Sequence, residues 1–433
     1  MPVNFKYTFA RWFYTLLIIL LLPLLGWWLW RQKLASGIAK DNEFWQRLGL
    51  GKPRQSGGWL FHCASVGEVV AASRLISVLL EQHPELSISV TTASATGGQR
   101  VKQLFGDKIN HYYLPVDLPW GMARLLKQLK PQKLIITEVE LWPNLLHQCE
   151  RNHVPVYILN ARMTDKSRQT MLRFRWLFQP MINSLRYVGA QGRRDYNNYL
   201  KTGIDANKLH LTGNIKFDLQ LSDADRDRSQ QLVRQFNLAH RPILIAGSTH
   251  DPEEQIILDV YRQLKVSIAD LLLVLVPRHP QRFEPVFQLC QREGWNVARA
   301  SLQQPSSAES DIFLADSMGI LKYLYGVADV AFIGGSIAPR GGHNPLEAAI
   351  WTVPILMGTS QYNNPEICAL LVQQNGMKVI NSSAELAAAA RDWLQRSDDR
   401  QAWGQRAHQV VIDNNGAVSR SLEMLRDQPL ASH

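Results

Sequence analysis

The chain has 433 residues, 46% apolar and 19% charged, with a formal net charge of +10. That length exceeds one ordinary hydrophobic core and the composition excludes bulk disorder, so two folded domains are expected. The cationic balance suits phosphorylated substrates or an anionic membrane surface; with no helix-turn-helix, zinc-finger or RNA-binding signature, no nucleic-acid partner is expected.

In chain order, the first signal is the uncharged run between Trp12 and Trp30, FYTLLIILLLPLLGWWL. It approaches the roughly 20 residues that cross a bilayer, and tryptophans mark its end. Trp27, Trp28 and Trp30 stand where a signal peptidase would require small residues, so the segment reads as an uncleaved anchor. Lys6 and Arg11 precede it, whereas Arg31, Lys33, Lys40, Arg47, Lys52 and Arg54 follow it, which places the body on the cytoplasmic side. Four cysteines, Cys63, Cys149, Cys290 and Cys368, stand singly, without disulfide-framework or zinc spacing, and read as reduced thiols.

From Gly58 onward, short apolar runs alternate with amphipathic stretches. Strands are predicted at Trp59–Cys63, Leu86–Thr92, Lys133–Thr137, Val154–Leu159 and Tyr187–Ala190. After a charged connector near Leu221 to Arg241, a second series follows at Ile243–Ala246, Leu271–Val276, Val330–Ile333 and Pro354–Leu356. Such alternation predicts two doubly wound parallel sheets, with ligands bound beyond the carboxyl ends of the strands. The connector's Asp223-Ala-Asp225 has the DxD spacing of metal-dependent sugar-nucleotide enzymes, but its interleaved arginines read as a solvated helix face.

The chemistry-bearing residues sit where strands end. His62-Cys-Ala-Ser65-Val-Gly67-Glu68 allows two readings: Ser65 and Glu68 as a capping box, or Glu68 as a proton acceptor. Gly67 in the first helical turn costs about 1 kcal/mol and adds nothing to a cap, which makes sense where a ligand comes close. In Thr137-Glu138-Val-Glu140-Leu-Trp142-Pro143-Asn144, at most one of the two carboxylates is expected to face a site, the other being ordinary surface. Lys216 in GNIKFD is either solvated or phosphate-facing. The acidic turn of Gly247-Ser-Thr-His250-Asp-Pro-Glu253-Glu254 reads mostly as a cap, while Pro277-Arg278-His279-Pro280 holds an arginine suited to phosphate.

Asp316-Ser-Met318-Gly319 opens a loop fit to pass under a base or ribose. Val330 to Ile333 runs into Gly334-Gly335-Ser336, and a second glycine pair leads to His343-Asn344-Pro345. Glycines and a helix start together form a metal-free phosphate site; Asn344, Pro345 and Glu347 also spell a capping box, and both readings stand. Between Arg151 and Lys201 lie ten Lys/Arg, only two acids, and Phe174, Trp176, Leu177 and Phe178, a mixture suited to an anionic amphiphile or headgroup layer.

With HCASVGE, TEVELWPN, NARMTDKS, GNIKFD, AGSTHDPEE, VPRHPQRF and GGHNPLEAA in this order, the chain resembles the bacterial 3-deoxy-D-manno-octulosonic acid (Kdo) transferases over nearly its whole length. The resemblance implies a GT-B fold: an anchor at 1–34, an acceptor-binding Rossmann-like domain at 35–220 and a CMP-Kdo-binding one at 221–433, facing across a cleft. It implies inverting transfer of Kdo from CMP-Kdo to the lipid A precursor at the inner membrane, with no cofactor and no metal. Glu68 would be the general base, and Glu138 and Lys216 would stabilise the transition state. Pro277, Arg278, Met318, Gly319, Ile320, Asn344, Pro345, Leu346 and Glu347 would hold CMP. Ile320 replaces a glutamate common in the family, so it can contribute only backbone or apolar contact. The alternative in the same fold class is a transferase using a UDP-sugar and another membrane lipid; a further rival is a tethered protein that binds nucleotide without turnover.

Overall fold

The computed structural model describes residues 5–36, 45–51, 56–239 and 241–426. Lys40, Lys52 and Arg54 of the basic flank lie outside the described residues. The chain forms two units: described residues up to Ile215 together with those from Gly416, and Lys216–Asn415.

The first unit is built on β1 (Trp59–His62), β2 (Ile88–Thr92), β3 (Asn110–Tyr113), β4 (Lys133–Thr137), β5 (Val156–Ala161), β6 (Tyr187–Ala190) and β7 (Leu209–Leu211). Among the described residues these form one seven-stranded parallel sheet in the order β3-β2-β1-β4-β5-β6-β7. Both faces are apolar because successive side chains alternate: Leu60, Leu134, Ile136 and Ile158 enter one core cluster, and Phe61, Ile135, Tyr157 and Leu159 the other. The winding direction reverses between β1 and β4, which makes their carboxyl ends the favoured place for a ligand.

The second unit repeats the scheme with β8 (Ile243–Thr249), β9 (Leu272–Pro277), β10 (Val297–Arg299), β11 (Ile312–Leu314), β12 (Val330–Ile333), β13 (Ile355–Met357) and β14 (Met377–Val379). Its sheet is parallel throughout, in the order β10-β11-β9-β8-β12-β13-β14, with the reversal between β8 and β12. Leu272 and Val274 face one core cluster while Leu273 and Leu275 face the other. This is the α/β architecture of two doubly wound units that the GT-B resemblance implies. The strands that patterning did not signal are β3, β7, β10, β11 and β14, each only three or four residues long. Asp225 of the DxD spacing closes a capping box with Ser222 and pairs with Lys322 at 3.1 Å.

Two helices have placements that patterning did not signal. The last described helix, Ala417–Arg426, belongs to the first unit: Leu422 and Leu425 join the core of Phe61 and Ile135, and Lys133 Nζ donates to the Leu425 carbonyl at 2.9 Å. The N-terminal helix Phe5–Ser36 contains the one window among the described residues, Lys6–Leu24, that is long and apolar enough to cross a membrane. Its first turns are nevertheless docked. Tyr7, Ala10, Arg11 and Thr15 form a buried stripe at helical spacing, against helices Pro143–Arg151 and Arg175–Ser184. Arg11 donates to Asn144 Oδ1 at 3.0 Å, and the Asn144 amide donates to Thr15 Oγ1 at 3.0 Å and to the Asp117 carbonyl at 2.7 Å. The Asp117 carboxylate accepts the Asn144 and Leu145 N–H groups, both at 2.9 Å. Phe9, Trp12, Phe13, Leu16, Leu20 and Leu24 point outward.

Buried polar groups deprived of partners are costly, so Asn144→Ala should destabilise the first unit by roughly 2–3 kcal/mol. Urea denaturation in detergent measures this; an unchanged midpoint would show that the network does not hold the helix.

Candidate functional site

In the first unit, β1 delivers its chain into Ser65, whose extended backbone makes it the N-cap of helix Val66–Gln82. Glu68 turns back onto the cap: Ser65 Oγ donates to one carboxylate oxygen at 2.9 Å and the Ala64 N–H to the other at 2.7 Å. Ser65 caps the helix, its Oγ accepting the Glu68 N–H at 3.4 Å, but Glu68 takes the Ala64 N–H in place of the Ser65 N–H that a capping box would use, and the chemical reading survives beside the cap. Burial pushes the Glu68 carboxyl up to about 7 despite those two hydrogen bonds, and Glu138 and then Glu140 push in the same direction. A Cβ on Gly67 would meet only Ser65 Oγ, at 3.7 Å, so protein packing does not require the glycine.

Glu138 and Glu140 do not divide between a site and the surface as expected; residues two apart on a strand share a face, and both act on Glu68. β4 ends at Thr137, and Glu138 follows it with a left-handed φ of 66°. Both carboxylates are half-buried and both act on Glu68; burial, then Glu138, raises Glu140 as well. Asn160, at the end of β5, also has a left-handed φ of 51°, and its side-chain oxygen accepts the Ile215 N–H at 3.1 Å. That bond fixes the backbone immediately before Lys216. No pattern in the sequence marks Asn160 for this task.

In the second unit the phosphate reading changes. The Glu253 side chain is fully buried, and its carboxylate accepts five backbone N–H groups. Gly335 at 2.7 Å and His250 at 3.0 Å serve one oxygen; Ser336 and Ile337 at 2.9 Å and Ala338 at 3.1 Å serve the other. The concave row of amides after β12, expected to receive a ligand's phosphate, is filled by the protein's own carboxylate. Nor do the glycines there open the backbone to a ligand: a Cβ on Gly334 would lie 2.3 Å from the Ser248 carbonyl oxygen, and one on Gly342 2.1 Å from Met357 Cε. Glu253, read from sequence as part of a cap, is the organising residue of this loop.

The helix start is also occupied. Leu346–Ala349 is one turn, Asn344 Oδ1 accepts the Leu346 N–H at 3.2 Å, and the Leu346 side chain lies in the core. The capping box is not completed, because Glu347 makes no hydrogen bond to protein among the described residues. Burial raises its carboxyl, while Arg278 and Lys322 act in the opposite direction.

Side chains remain to meet an anion. Arg278 follows β9, anchored by its N–H to the Thr249 carbonyl at 3.0 Å, and its exposed guanidinium has no protein partner among the described residues. Its charge acts on His250, His343 and Glu347, which brings the sequence-predicted Pro277-Arg278 and Asn344–Glu347 segments together. Arg340, overlooked in the sequence, is similarly exposed and also acts on His250. Lys216 Nζ donates to Asn364 Oδ1 at 3.0 Å, and the Asn364 amide reaches the His343 carbonyl at 3.4 Å.

The loop Met318–Ile320 has its own anchor. Buried Asp316 accepts Arg299 Nε at 2.8 Å, the Ser301 N–H at 2.7 Å and Ser301 Oγ at 2.6 Å. Those bonds hold its carboxyl below the usual range although burial opposes them. Met318 is exposed, Gly319 has φ 86°, and Ile320 packs on the core, consistent with an apolar residue at that position. A cavity of about 250 Å³ adjoins the loop, lined by Leu232, Phe236, Ser301, Ser317 and Ile320 among others. Among the described residues, no group of three or more His, Cys, Asp or Glu is placed to hold a metal ion.

A family model described as 3-deoxy-D-manno-octulosonic-acid transferase (kdotransferase) matches residues 42–219. Over 426 residues the chain is 37% identical to the 3-deoxy-D-manno-octulosonic acid transferase of Haemophilus influenzae, covering 96% of this chain and 98% of that one. The chain belongs to the 3-deoxy-D-manno-octulosonic acid transferase family. As a Kdo transferase family member it is a glycosyltransferase. The Bordetella pertussis 3-deoxy-D-manno-octulosonic acid transferase is 29% identical over 450 residues, covering 96% of this chain and 99% of that relative. Among solved structures, Neisseria meningitidis UDP-GlcNAc 2-epimerase bound to UDP-GlcNAc aligns with a TM-score of 0.59 and 13% identity, over 86% of this chain and 100% of that one. That likeness concerns the fold alone.

Removing the Glu253 carboxylate leaves five backbone donors without it, three of them in buried bonds and two in part-buried ones. Glu253→Ala should lower the stability of the second unit by about 3–5 kcal/mol, with faster hydrogen exchange at the amides of Gly335 to Ala338. Unchanged exchange there would show that the loop holds its shape without the carboxylate.

Proposed function

We propose that this glycosyltransferase moves Kdo from CMP-Kdo to the lipid A precursor, lipid IVA, by an inverting displacement. The supporting observation is the Glu68 carboxyl, buried beside two further carboxylates and raised to about 7, which suits proton exchange at neutral pH. The ionised Glu68 takes the proton from an acceptor hydroxyl. The oxygen so freed bonds to the anomeric carbon of Kdo as the bond from that carbon to the phosphate oxygen breaks. CMP leaves carrying the additional negative charge.

In the second unit, Arg278 is the principal partner for that charge, because its guanidinium is exposed and has no protein partner among the described residues. Preorganised charge of this kind usually contributes most to such catalysis, and it takes the role a metal has in other transferases. Glu347, with no protein hydrogen bond among the described residues, accepts the ribose hydroxyls. Met318, Gly319 and Ile320 border the base, with Pro277, Asn344, Pro345 and Leu346 shaping the backbone around the nucleotide. Glu138 and Lys216 stabilise charge in the transition state. The outward apolar face of the N-terminal helix and the exposed Phe174 and Trp176 meet the cytoplasmic leaflet of the inner membrane, where the acceptor resides.

Glu68→Gln should lower kcat with CMP-Kdo and lipid IVA by about 100- to 10,000-fold; near-normal turnover would remove the base assignment. Because the acid form predominates below about 7, wild-type kcat/KM should fall as pH drops through that value. A profile flat from pH 5.5 to 8 would contradict this. Separately, Arg278→Ala should weaken CMP binding by roughly 10- to 100-fold, read by calorimetry, with the thermal midpoint unchanged.

A further inference from the structure

Beside Arg278, two histidines share a hydrogen bond that the proposed mechanism does not use. His250 lies at the end of β8 and His343 at the end of the glycine-rich loop. Their Nε2 atoms are 2.8 Å apart, and their rings are parallel within 2° with centroids 5.1 Å apart, so they meet edge to edge through one N–H···N bond. The geometry fixes the proton count. One Nε2 carries hydrogen and the other is bare; a further proton can enter at the donor ring's Nδ1 without breaking the bond, whereas protonating both Nε2 atoms would break it. The pair therefore has room for one additional proton.

Its surroundings decide whether that proton is present. From the β9 loop Arg278 and His279 bear on it, with the His279 ring edge-on to His250 at 5.2 Å; from the glycine loop, Arg340 does. The one opposing charge acting on His250 is Glu253, already engaged by five amides. Burial, then Arg278, His250 and His279, push His343 down to about 4, and burial is likewise the first cause lowering His250. By itself the protein thus keeps a neutral pair among cations, and a dianion arriving beside Arg278 reverses that balance.

We propose that the His250–His343 pair takes up one proton from solvent when a nucleoside monophosphate dianion binds, and remains neutral with a phosphodiester monoanion. The inference rests on the reading of this unit as the nucleotide holder. It gives the pair a role beyond packing: it distinguishes the leaving group, which bears the extra charge, from the intact donor, which does not. By linkage, CMP then binds more tightly at lower pH.

The test is calorimetric titration of the full chain in detergent micelles with CMP, in pairs of buffers of different ionisation heat, between pH 7 and 8, where the phosphate is already dianionic. An uptake of about half a proton per CMP is expected, with CMP affinity falling roughly threefold per pH unit by linkage. His250→Asn and His343→Asn should abolish the uptake while still binding CMP, His279→Asn should retain it, and cytidine 5′-phosphate methyl ester should elicit little in the wild type. Equal uptake in wild type and both variants, or equal uptake with CMP and its methyl ester, overturns the proposal. Absence of CMP binding to the wild-type protein overturns the nucleotide reading itself, and this inference with it. Should the variants fail to fold, ¹⁵N-histidine spectra of the wild type decide: imidazole shifts on CMP addition support the proposal, and unmoved signals defeat it.

Discussion

A single buried carboxylate organises the second unit. Glu253 gathers five amides from two loops, and the turn after β12 keeps its shape because those donors converge on one charge. The glycines of that turn follow from the same constraint, since the chain must pass close to Ser248 and Met357 to bring its N–H groups inward. With those backbone donors consumed internally, they are not open to an external anion, and the exposed cationic side chains are what the loop still offers one. Arg278 and Arg340 stand exposed around this loop, whose sequence resembles a backbone phosphate cradle.

The two units carry opposite local charge at equivalent places in their sheets. At the end of β4 beside the reversal in the first sheet, burial and then Glu138 and Glu140 raise the proton affinity of Glu68, and burial and then Glu138 raise that of Glu140. At the reversal in the second, burial and the neighbouring cationic side chains lower that of His250 and His343. Each arrangement is electrostatically unfavourable by itself. A fold that places strand ends at a fixed point lets such crowding be confined to a few loop residues.

Much of this was legible in the sequence. Fully buried strands such as Lys133–Thr137 and Leu272–Pro277 announce themselves as apolar runs, and the ordered motifs identify the family. Short edge strands such as Asn110–Tyr113 and Met377–Val379 do not, because three or four residues carry too little pattern. The sites were legible as places but less so as chemistry. Glu253 reads as a helix cap because most of its partners lie far along the chain, in a loop whose donors have no sequence signature. Glu138 and Glu140 both bear on Glu68 because residues two apart at a strand end share a face, so dividing them between a site and the surface ran against the period of two. The His250–His343 bond joins positions 93 residues apart, a separation that spacing rules do not address.

The docking of the N-terminal helix bears on how this protein is handled. Deleting a hydrophobic leader to obtain a soluble catalytic body presumes that the leader is an independent tether. Here Arg11 and Thr15 complete the hydrogen bonding of Asn144, which belongs to the same segment as Glu138 and Glu140. Shortening the chain would uncover Asn144 and the Asp117 network behind the carboxylate loop, so a tail that looks dispensable by hydropathy is, by its contacts, part of the scaffold.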